Sequence, residues 1–443
     1  MKIRKRDSTA ILKSLSAGVV PNRGLQYIII GREKEMKQIE LDLDEVSNGN
    51  SLIKFFIGDF GTGKSFMQAY IKQVGLKENF VVAQADFSPD RRLYGNDGQA
   101  LALYNELMKN LSTKSAPEGN ALTNILDQWI FNIQEQVVEA RGYEKIDLEN
   151  KDFNRDVETK IEHIVSNMDE LTGGYDFARV LNIYYRSFIE KNQDQKRAVL
   201  RWIRGEYTTK TDAKNDLGIR EIINDDNYYG YLKVIAKFVN QIGYSGLVIN
   251  LDEAVNLYKI THSLARNKNY EMILTIYNDI FQGDVENLYI TFSGTPEFLE
   301  DERRGIYSYR ALQRRLRPGF QDAEFQDLKE PVIKLKPISA NETLALLMNL
   351  RDIHAAHYKY NPIVSDEEIK NYLNKYYEMP GAEKYVIIGD IIKGFISRLN
   401  ILYENPNIDR AKLFGEINME TSQETSMTNQ TTDLNNRFKK ESY

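Results

Sequence analysis

The sequence predicts an α/β fold: a mostly parallel sheet with helices on both faces, making three layers, with a large helical insertion and a small C-terminal helical domain. Three observations predict it. Short apolar runs bounded by turn residues ("LIKFFI", "NFVVAQADFSP", "GLVINLDEA", "NLYITFSGTPEFL", "PVIKLKPIS") alternate with stretches of helical periodicity, the pattern of parallel strands joined by helices. Strand signals nearly vanish from about 115 to 240, where long helical segments follow one another. Residues 340 to about 415 are helical again.

Taken in order, residues 1–27 form an amphipathic arm ending in the turn "PNRG", and a strand-like "YIII" follows. "GREKEMKQIELDLDEV" places Met36, Ile39, Leu41 and Leu43 as a helix would, and "NGNS" ends it. "LIKFFI" is a strand bounded by Gly58, and the helix after Lys64 runs to about Val74. The strand in 79–89 is closed by Ser88 and Pro89, and "GQALALYNELMKNLS" returns to helix. The insertion contains "LTNILDQWIFNIQEQVVEA", "FNRDVETKIEHIVSNM", "DFARVLNIYYRSFIE" and "QKRAVLRWIRGEY". Strands at 246–254, 287–299 and 331–339 complete the sheet. The expected organisation is an arm at 1–27, a core at 28–336 interrupted by the insertion at about 115–240, and a helical domain at 337–415. The tail 416–443, rich in Thr, Ser, Asn and Gln, is expected to be disordered. No internal repeat is visible.

Composition narrows the function classes. With no cysteine, disulfides, thiolate zinc sites and cysteine nucleophiles are excluded, and the four histidines form no metal-ligand spacing. No apolar stretch approaches the roughly 18 residues of a membrane span. The basic N-terminus is interrupted by Lys13, Ser14 and Ser16 and lacks a secretory core, so a cytoplasmic location is expected. A net charge of −6 argues against a surface that coats nucleic acid, leaving local basic clusters at 2–6 and 303–317, and a short charge run of this kind is usually a solvated face.

"GDFGTGKS", Gly58 to Ser65, fits G-x-x-x-x-G-K-[ST] throughout. A polyphosphate is surrounded by main-chain N–H groups only where no side chain intervenes, which Gly58, Gly61 and Gly63 permit. Asp59, Phe60, Thr62 and the first helical residues through Phe66 supply the rest of the cradle. The helix beginning near Gly63 adds the positive end of its dipole. Lys64 reaches the β- and γ-phosphates, and the Ser65 hydroxyl ligates magnesium. A glycine-rich turn with a chance lysine is the competing reading, disfavoured by the strand before and the helix after.

"LVINLDEA" delivers Asp252 and Glu253 to the carboxyl end of a buried strand, where open parallel sheets bind ligands. Asp252 would hold the metal shell and Glu253 would activate the attacking water. Ser293 and Thr295, in "FSGTPEF", stand at the next strand end, where a hydroxyl could orient that water or simply belong to a turn. "YSYRALQRRLRPG" spaces Arg310, Arg314 and Arg317 along one helix face with Arg315 beside them. One of these, Arg314 first among them, is a candidate to reach a neighbouring subunit's γ-phosphate; a plain basic surface is the equal alternative. In "DFSPDRRLYG", Asp86 ends a strand beside the loop, Ser88 reads as a helix N-cap with Pro89 behind it, and Arg91 and Arg92 are left open. The two tryptophans and the paired tyrosines of "NIYYRSF" and "NKYYEM" lie at helical spacing and read as core rather than as base-stacking platforms.

Together, "IIIGREKEMKQI", the phosphate loop, the Asp-Glu pair, the polar strand end, the arginine helix and the helical C-terminal domain resemble an AAA+ ATPase. The closest branches in style are the origin-recognition and signal-transduction (STAND-like) ones. That resemblance implies Ile30 and Gly31 beside the adenine, with the C-terminal domain as a lid. "SLSAGVVPNRGLQYIIIGRE", "DFSPDRRLYG", "WIRGEYTTKTDA" and "SGTPEFLEDERRGIYSYRALQRRL" resemble the BREX-type phage-defence ATP-binding family over about residues 10 to 400. The resemblance implies ATP and Mg2+ as cofactors, ATP hydrolysis, a homo-oligomer, and a helicase or other defence-system protein or DNA as partner. A slow-turnover recruitment module and an origin-recognition-like helicase loader are the alternatives. The sequence departs from the AAA+ pattern in the lid, where "YVIIGDIIKGF" offers Gly389, Asp390, Ile392 and Lys393 but no arginine.

Overall fold

The computed structural model describes residues 2–166, 173–320, 325–378 and 388–415. The chain divides into two compact units, Gly31–Ile338 and the pair of segments Met1–Ile30 and Ser339–Tyr443. The tail expected to be disordered lies outside the described residues.

Chain order begins with α1 (Lys5–Ser16), which belongs to the second of these units. Gly31–Ile338 then runs through α2 (Glu33–Ser47), β1 (Leu52–Ile57), α3 (Lys64–Lys77), β2 (Val81–Asp86) and α4 (Gln99–Lys109). The insertion is α5 (Leu122–Arg141), α6 (Lys151–Ser166), α7 (Gly174–Ile189), α8 (Gln193–Ile203), α9 (Lys210–Leu217) and α10 (Tyr228–Gln241). β3 (Leu247–Asp252), α11 (Val255–Tyr258), α12 (Ser263–Gln282), β4 (Leu288–Gly294), α13 (Pro296–Glu300), α14 (Arg310–Leu316) and β5 (Val332–Lys334) complete it. The five strands form one all-parallel sheet in the order β2-β3-β4-β1-β5. Parallel neighbours need long crossovers, and the helices between the strands supply them.

The sheet's two faces differ in chemistry. One face is apolar: Ile53, Phe55 and Ile57 of β1, Val81, Ala83 and Ala85 of β2, and their counterparts on β3 and β4 are buried in a single cluster with α4, α5, α10 and α12. On the other face, next to α2 and α3, every one of four strands carries a polar residue at the same level. Gln84 pairs with Asn250, Asn250 with Thr291, and Thr291 with Lys54. Strands buried on both faces are normally near-continuous apolar runs, so this row needs partners, and it has them. Lys54 Nζ donates to the carbonyls of Leu328, Lys329 and Glu330 at 2.7, 3.0 and 3.0 Å, with Asp42 at 3.7 Å.

The insertion shares the core of this unit. Trp129 and Trp202 are buried, each edge-on to a ring of α10, Phe238 and Tyr231, with centroids 5.3 Å apart. Tyr184 and Tyr185 are buried as well, as helical spacing predicts; of the second tyrosine pair, in the other unit, Tyr376 is buried and Tyr377 exposed. The Asp225 carboxylate accepts from the N–H groups of Gly98 and Leu101 at 2.8 and 2.7 Å, capping α4 from more than a hundred residues away.

Two local expectations fail. "YIII" is no strand: Leu25–Tyr27 is a short 3-10 helix and residues 28–30 join no sheet. An apolar run this short serves equally well as a buried turn, and Ile28 is indeed buried. Ser88 caps no helix. It pairs with Arg91 across Pro89-Asp90, its hydroxyl accepting from the Asp90 N–H at 3.2 Å, and α4 starts only at Gln99.

In the other unit α1 packs against α15 (Ala340–Tyr358) and α17 (Ile388–Glu404), burying Ile11 and Leu12. α16 (Asp366–Tyr377) and α18 (Arg410–Gly415) complete the described helices. Capping boxes at Ser339–Glu342 and Ser365–Glu368 start α15 and α16. No described helix is long and apolar enough to cross a membrane.

Candidate functional site

β1 ends at Ile57 and α3 begins at Lys64, so Gly58–Gly63 is a tight connection at the carboxyl edge of the sheet. Glycine is required at both ends of it. A Cβ on Gly58 would crowd the Thr62 side chain and meet the Leu335 carbonyl at 2.8 Å. Gly63, the residue before α3, has φ +93°, a left-handed conformation unfavourable for any side chain. Inside the loop the Thr62 hydroxyl donates to the Asp59 carbonyl at 2.8 Å.

The loop is also clamped from outside. Arg32, buried at 7 % exposure, donates through Nη2 to the Thr62 carbonyl at 2.8 Å and to the Lys336 carbonyl, and through Nη1 to Glu35 at 3.2 Å. One guanidinium thus joins the phosphate-loop candidate to the segment after β5. Arg32 is not among the residues that motif or spacing marks out; its signal in the sequence is an arginine directly after Gly31, behind the apolar run at 28–30.

Lys64 Nζ donates to the carbonyls of Gly58 and Asp59 at 2.7 and 2.8 Å, and stands 5.4 Å from the centre of the exposed Phe60 ring. Burial pushes its pKa down, while the carboxylates of Asp252, Glu253 and Asp59 pull the other way. Phe66 is half-buried in the first turn of α3.

Three elements converge on Asp252 at the end of β3. Ser65 donates to Oδ2 at 3.3 Å, the Glu253 N–H donates to Oδ1 at 2.7 Å, and the Ser293 hydroxyl of β4 donates to Oδ1. Ser293 is fully buried and committed to Asp252. Thr295 beyond it has a buried hydroxyl without a partner among the described residues. Glu253 is exposed and holds φ +57°, a strained conformation for a side chain of its length. Although the residue as a whole is exposed, partial desolvation of its carboxyl group at the sheet edge raises the pKa, and the like charges of Asp252 and Asp86 raise it further. Asp86 lies opposite Asp252 in the β2–β3 ladder, and its own pKa is raised by burial and by Asp252.

The Ser65 hydroxyl and Asp252 carboxylate form an oxygen pair of the kind a hard divalent cation takes. Among the described residues no group of three or more His, Cys, Asp or Glu could hold a metal unaided. Mg2+ keeps water and phosphate oxygens in most of its shell, so two protein oxygens of this kind are a set that it can use.

Other sequence candidates lie apart from this convergence or outside any common site. α14 is only seven residues long, and Arg310 and Arg314 are exposed on it. Arg317 is not on that helix: it follows Leu316 with extended backbone, because the residue before Pro318 is pushed out of the helical region. Arg315 donates to the Ala311 carbonyl at 3.0 Å and lies 6.0 Å over Tyr277. Arg91 pairs with Glu106 at 3.5 Å. Gly31, with φ +71°, donates to Glu33 at 3.3 Å, while Ile30 belongs to the other unit. On α17, Lys393 is exposed, whereas Arg398 is engaged with the carbonyls of Leu413 and Gly394 at 2.9 and 3.0 Å and with the Tyr372 ring.

A family profile described as BREX system ATP-binding protein BrxC/D matches residues 3–418. No curated protein matches the chain.

Proposed function

From the premise that this chain belongs to the BREX system ATP-binding protein BrxC/D family, we propose that it binds ATP with Mg2+ and hydrolyses it as an AAA+-type switch or motor in phage defence. The observation that carries this reading is the meeting of Ser65, Ser293 and Glu253 on Asp252, beside a lysine-bearing loop where glycine is obligatory.

In this reading the main-chain N–H groups from Gly58 to Phe66 surround the phosphates. Lys64 leaves the carbonyls of Gly58 and Asp59 to neutralise the β- and γ-oxygens. Mg2+ bound to Ser65 and Asp252 would supply charge neutralisation at the same oxygens. Glu253 takes the proton of the attacking water; its raised pKa brings its basicity nearer to the working pH. Ser293 orients the Asp252 carboxylate. Ile30 and Gly31 flank the base, and Arg314 reaches the γ-phosphate of a neighbouring copy in a homo-oligomer. A helicase or other defence protein, or DNA, receives the conformational output.

A second reading, nucleotide-dependent recruitment with slow turnover, is favoured by one observation: Arg398, an arginine on α17, is engaged within its own unit. The experiment that decides is titration of the purified chain with Mg-ATP alongside turnover. Lys64→Ala should abolish binding, and Glu253→Gln should bind ATP and lose turnover by roughly a hundred-fold or more. A wild-type chain that binds no Mg-ATP defeats both readings, and an unchanged rate in Glu253→Gln removes Glu253 as base.

A further inference from the structure

One feature of the sheet is unused by the mechanism: the polar row that crosses it one pleat behind Asp252. Asn250 stands two residues before Asp252 on β3, and Thr291 two residues before Ser293 on β4, so each shares a sheet face with its site neighbour. Gln68 stands one helical turn after Ser65 on α3. All three are buried, at 2, 0 and 3 % exposure. Thr291 Oγ1 lies 2.8 Å from Asn250 Oδ1 and 3.0 Å from Gln68 Oε1, and Asn250 Nδ2 donates to the Gln68 main-chain carbonyl at 3.1 Å.

A hydroxyl has one hydrogen and cannot donate to two oxygens. Turning the Gln68 amide over, which leaves its shape unchanged, resolves this. Nε2, otherwise a buried donor with no partner, then donates to Thr291, and Thr291 donates to Asn250. Gln68, Thr291 and Asn250 then each donate one hydrogen bond, and the chain of bonds runs from α3 to β4 to β3.

The structure assigns Gln68, Asn250 and Thr291 the role of positioning residues that hold α3 against β3 and β4, and so set Ser65 at metal-sharing distance from Asp252. This rests on the proposed Mg-nucleotide site. An apolar row would anchor the helix just as firmly, but dispersion contacts allow a helix to slide and rotate, whereas two directed hydrogen bonds to Gln68, from a Thr291–Asn250 pair that is itself hydrogen-bonded, fix its register. Metal binding depends on a few tenths of an ångström between two oxygens; phosphate binding by a contiguous loop does not.

The test separates these two dependences in the full-length chain. The affinity for ADP is measured by fluorescence titration with Mg2+ and with excess chelator, together with ATP turnover. Thr291→Val removes the central hydroxyl, and Thr291→Ser keeps it while leaving a small cavity. The triple variant Gln68→Leu/Asn250→Leu/Thr291→Val replaces every partner at once, so that no buried polar group is left unpaired if the single change impairs folding. The expected result is that Thr291→Val and the triple variant lose roughly five-fold or more of the Mg2+-dependent gain in ADP affinity and of turnover. Metal-free ADP affinity should stay within about two-fold, and Thr291→Ser should behave as wild type despite a lower melting temperature. If the triple variant folds and keeps the wild-type Mg2+ gain, or if Thr291→Ser fails as badly as Thr291→Val, the assignment is wrong. Because the wild type itself must show the Mg2+ gain, failure of the nucleotide reading would appear there first and is not confused with failure of this one.

Discussion

Glu253 and Asp86 are the residues at which the electrostatics of the site become measurable. Glu253 is held above the ordinary glutamate range first by burial, then by repulsion from Asp252 and Asp86. If Glu253 is the base, turnover falls on the acid side as it gains its proton, at a pH above its ordinary value of 4.5. Asp86→Asn removes one like charge, makes the ionised form less unfavourable and moves that acid limb to lower pH; a pH–rate profile with an unmoved limb would contradict the assignment. Arg32 offers a second test at this scale. Arg32→Lys keeps a charge but loses the planar fork that reaches two carbonyls and Glu35 together. Nucleotide affinity should therefore drop about ten-fold although Arg32 need not touch the ligand, and calorimetric titration of the variant would expose an error here.

At the scale of elements, Lys54 shows how the sheet's polar face is stabilised. Its ammonium, with only 2 % side-chain exposure, satisfies three consecutive carbonyls before β5 and faces Asp42. Burial dominates both partners, lowering the Lys54 pKa and raising that of Asp42. Lys54→Met strands the Asp42 carboxylate and should cost about 3–5 kcal/mol in denaturant unfolding near neutral pH. The sign of its pH dependence follows. Asp42 holds its proton more tightly folded than unfolded, so this contribution to stability is full below the unfolded pKa and is lost as pH rises through the folded pKa. Without Lys54 that pKa moves higher still, and the destabilisation should be smaller at pH 5 than at pH 8. An equal loss at both values would show that Asp42 is not the stranded group.

The whole molecule raises the question of shared sites. Arg314 is exposed, and on the proposed reading it acts on another copy. Arg314→Ala and Glu253→Gln should each be inactive alone, yet regain partial ATPase activity when mixed, because a mixed oligomer contains sites with an intact base from one subunit and an intact arginine from the next. No recovery on mixing, with both variants folded, would place the arginine's role elsewhere.

How much of this was legible depends on how far apart in the chain the cooperating atoms lie. The five strands, the insertion helices and the Gly58–Ser65 loop follow from local pattern, since a strand's apolar run and a loop's contiguous amides are written in neighbouring residues. That Asp252 and Glu253 stand at the carboxyl end of a strand was legible because a strand end is recognisable. "YIII" and Ser88 misled for the converse reason: three apolar residues or one serine carry too little pattern to choose between conformations.

What the sequence determined alone is therefore the chemistry on offer: a cysteine-free α/β chain with a glycine-rich, lysine-bearing loop after one strand and a carboxylate pair at the end of another. Tertiary structure decided which groups meet. Register alone lines up Gln84, Asn250, Thr291 and Lys54 across four strands, while packing brings Arg32 to Thr62 and joins α1 to helices more than three hundred residues away. Hydrogen bonds and contacts act over a few ångströms, and only the folded chain brings residues so distant in sequence within that range.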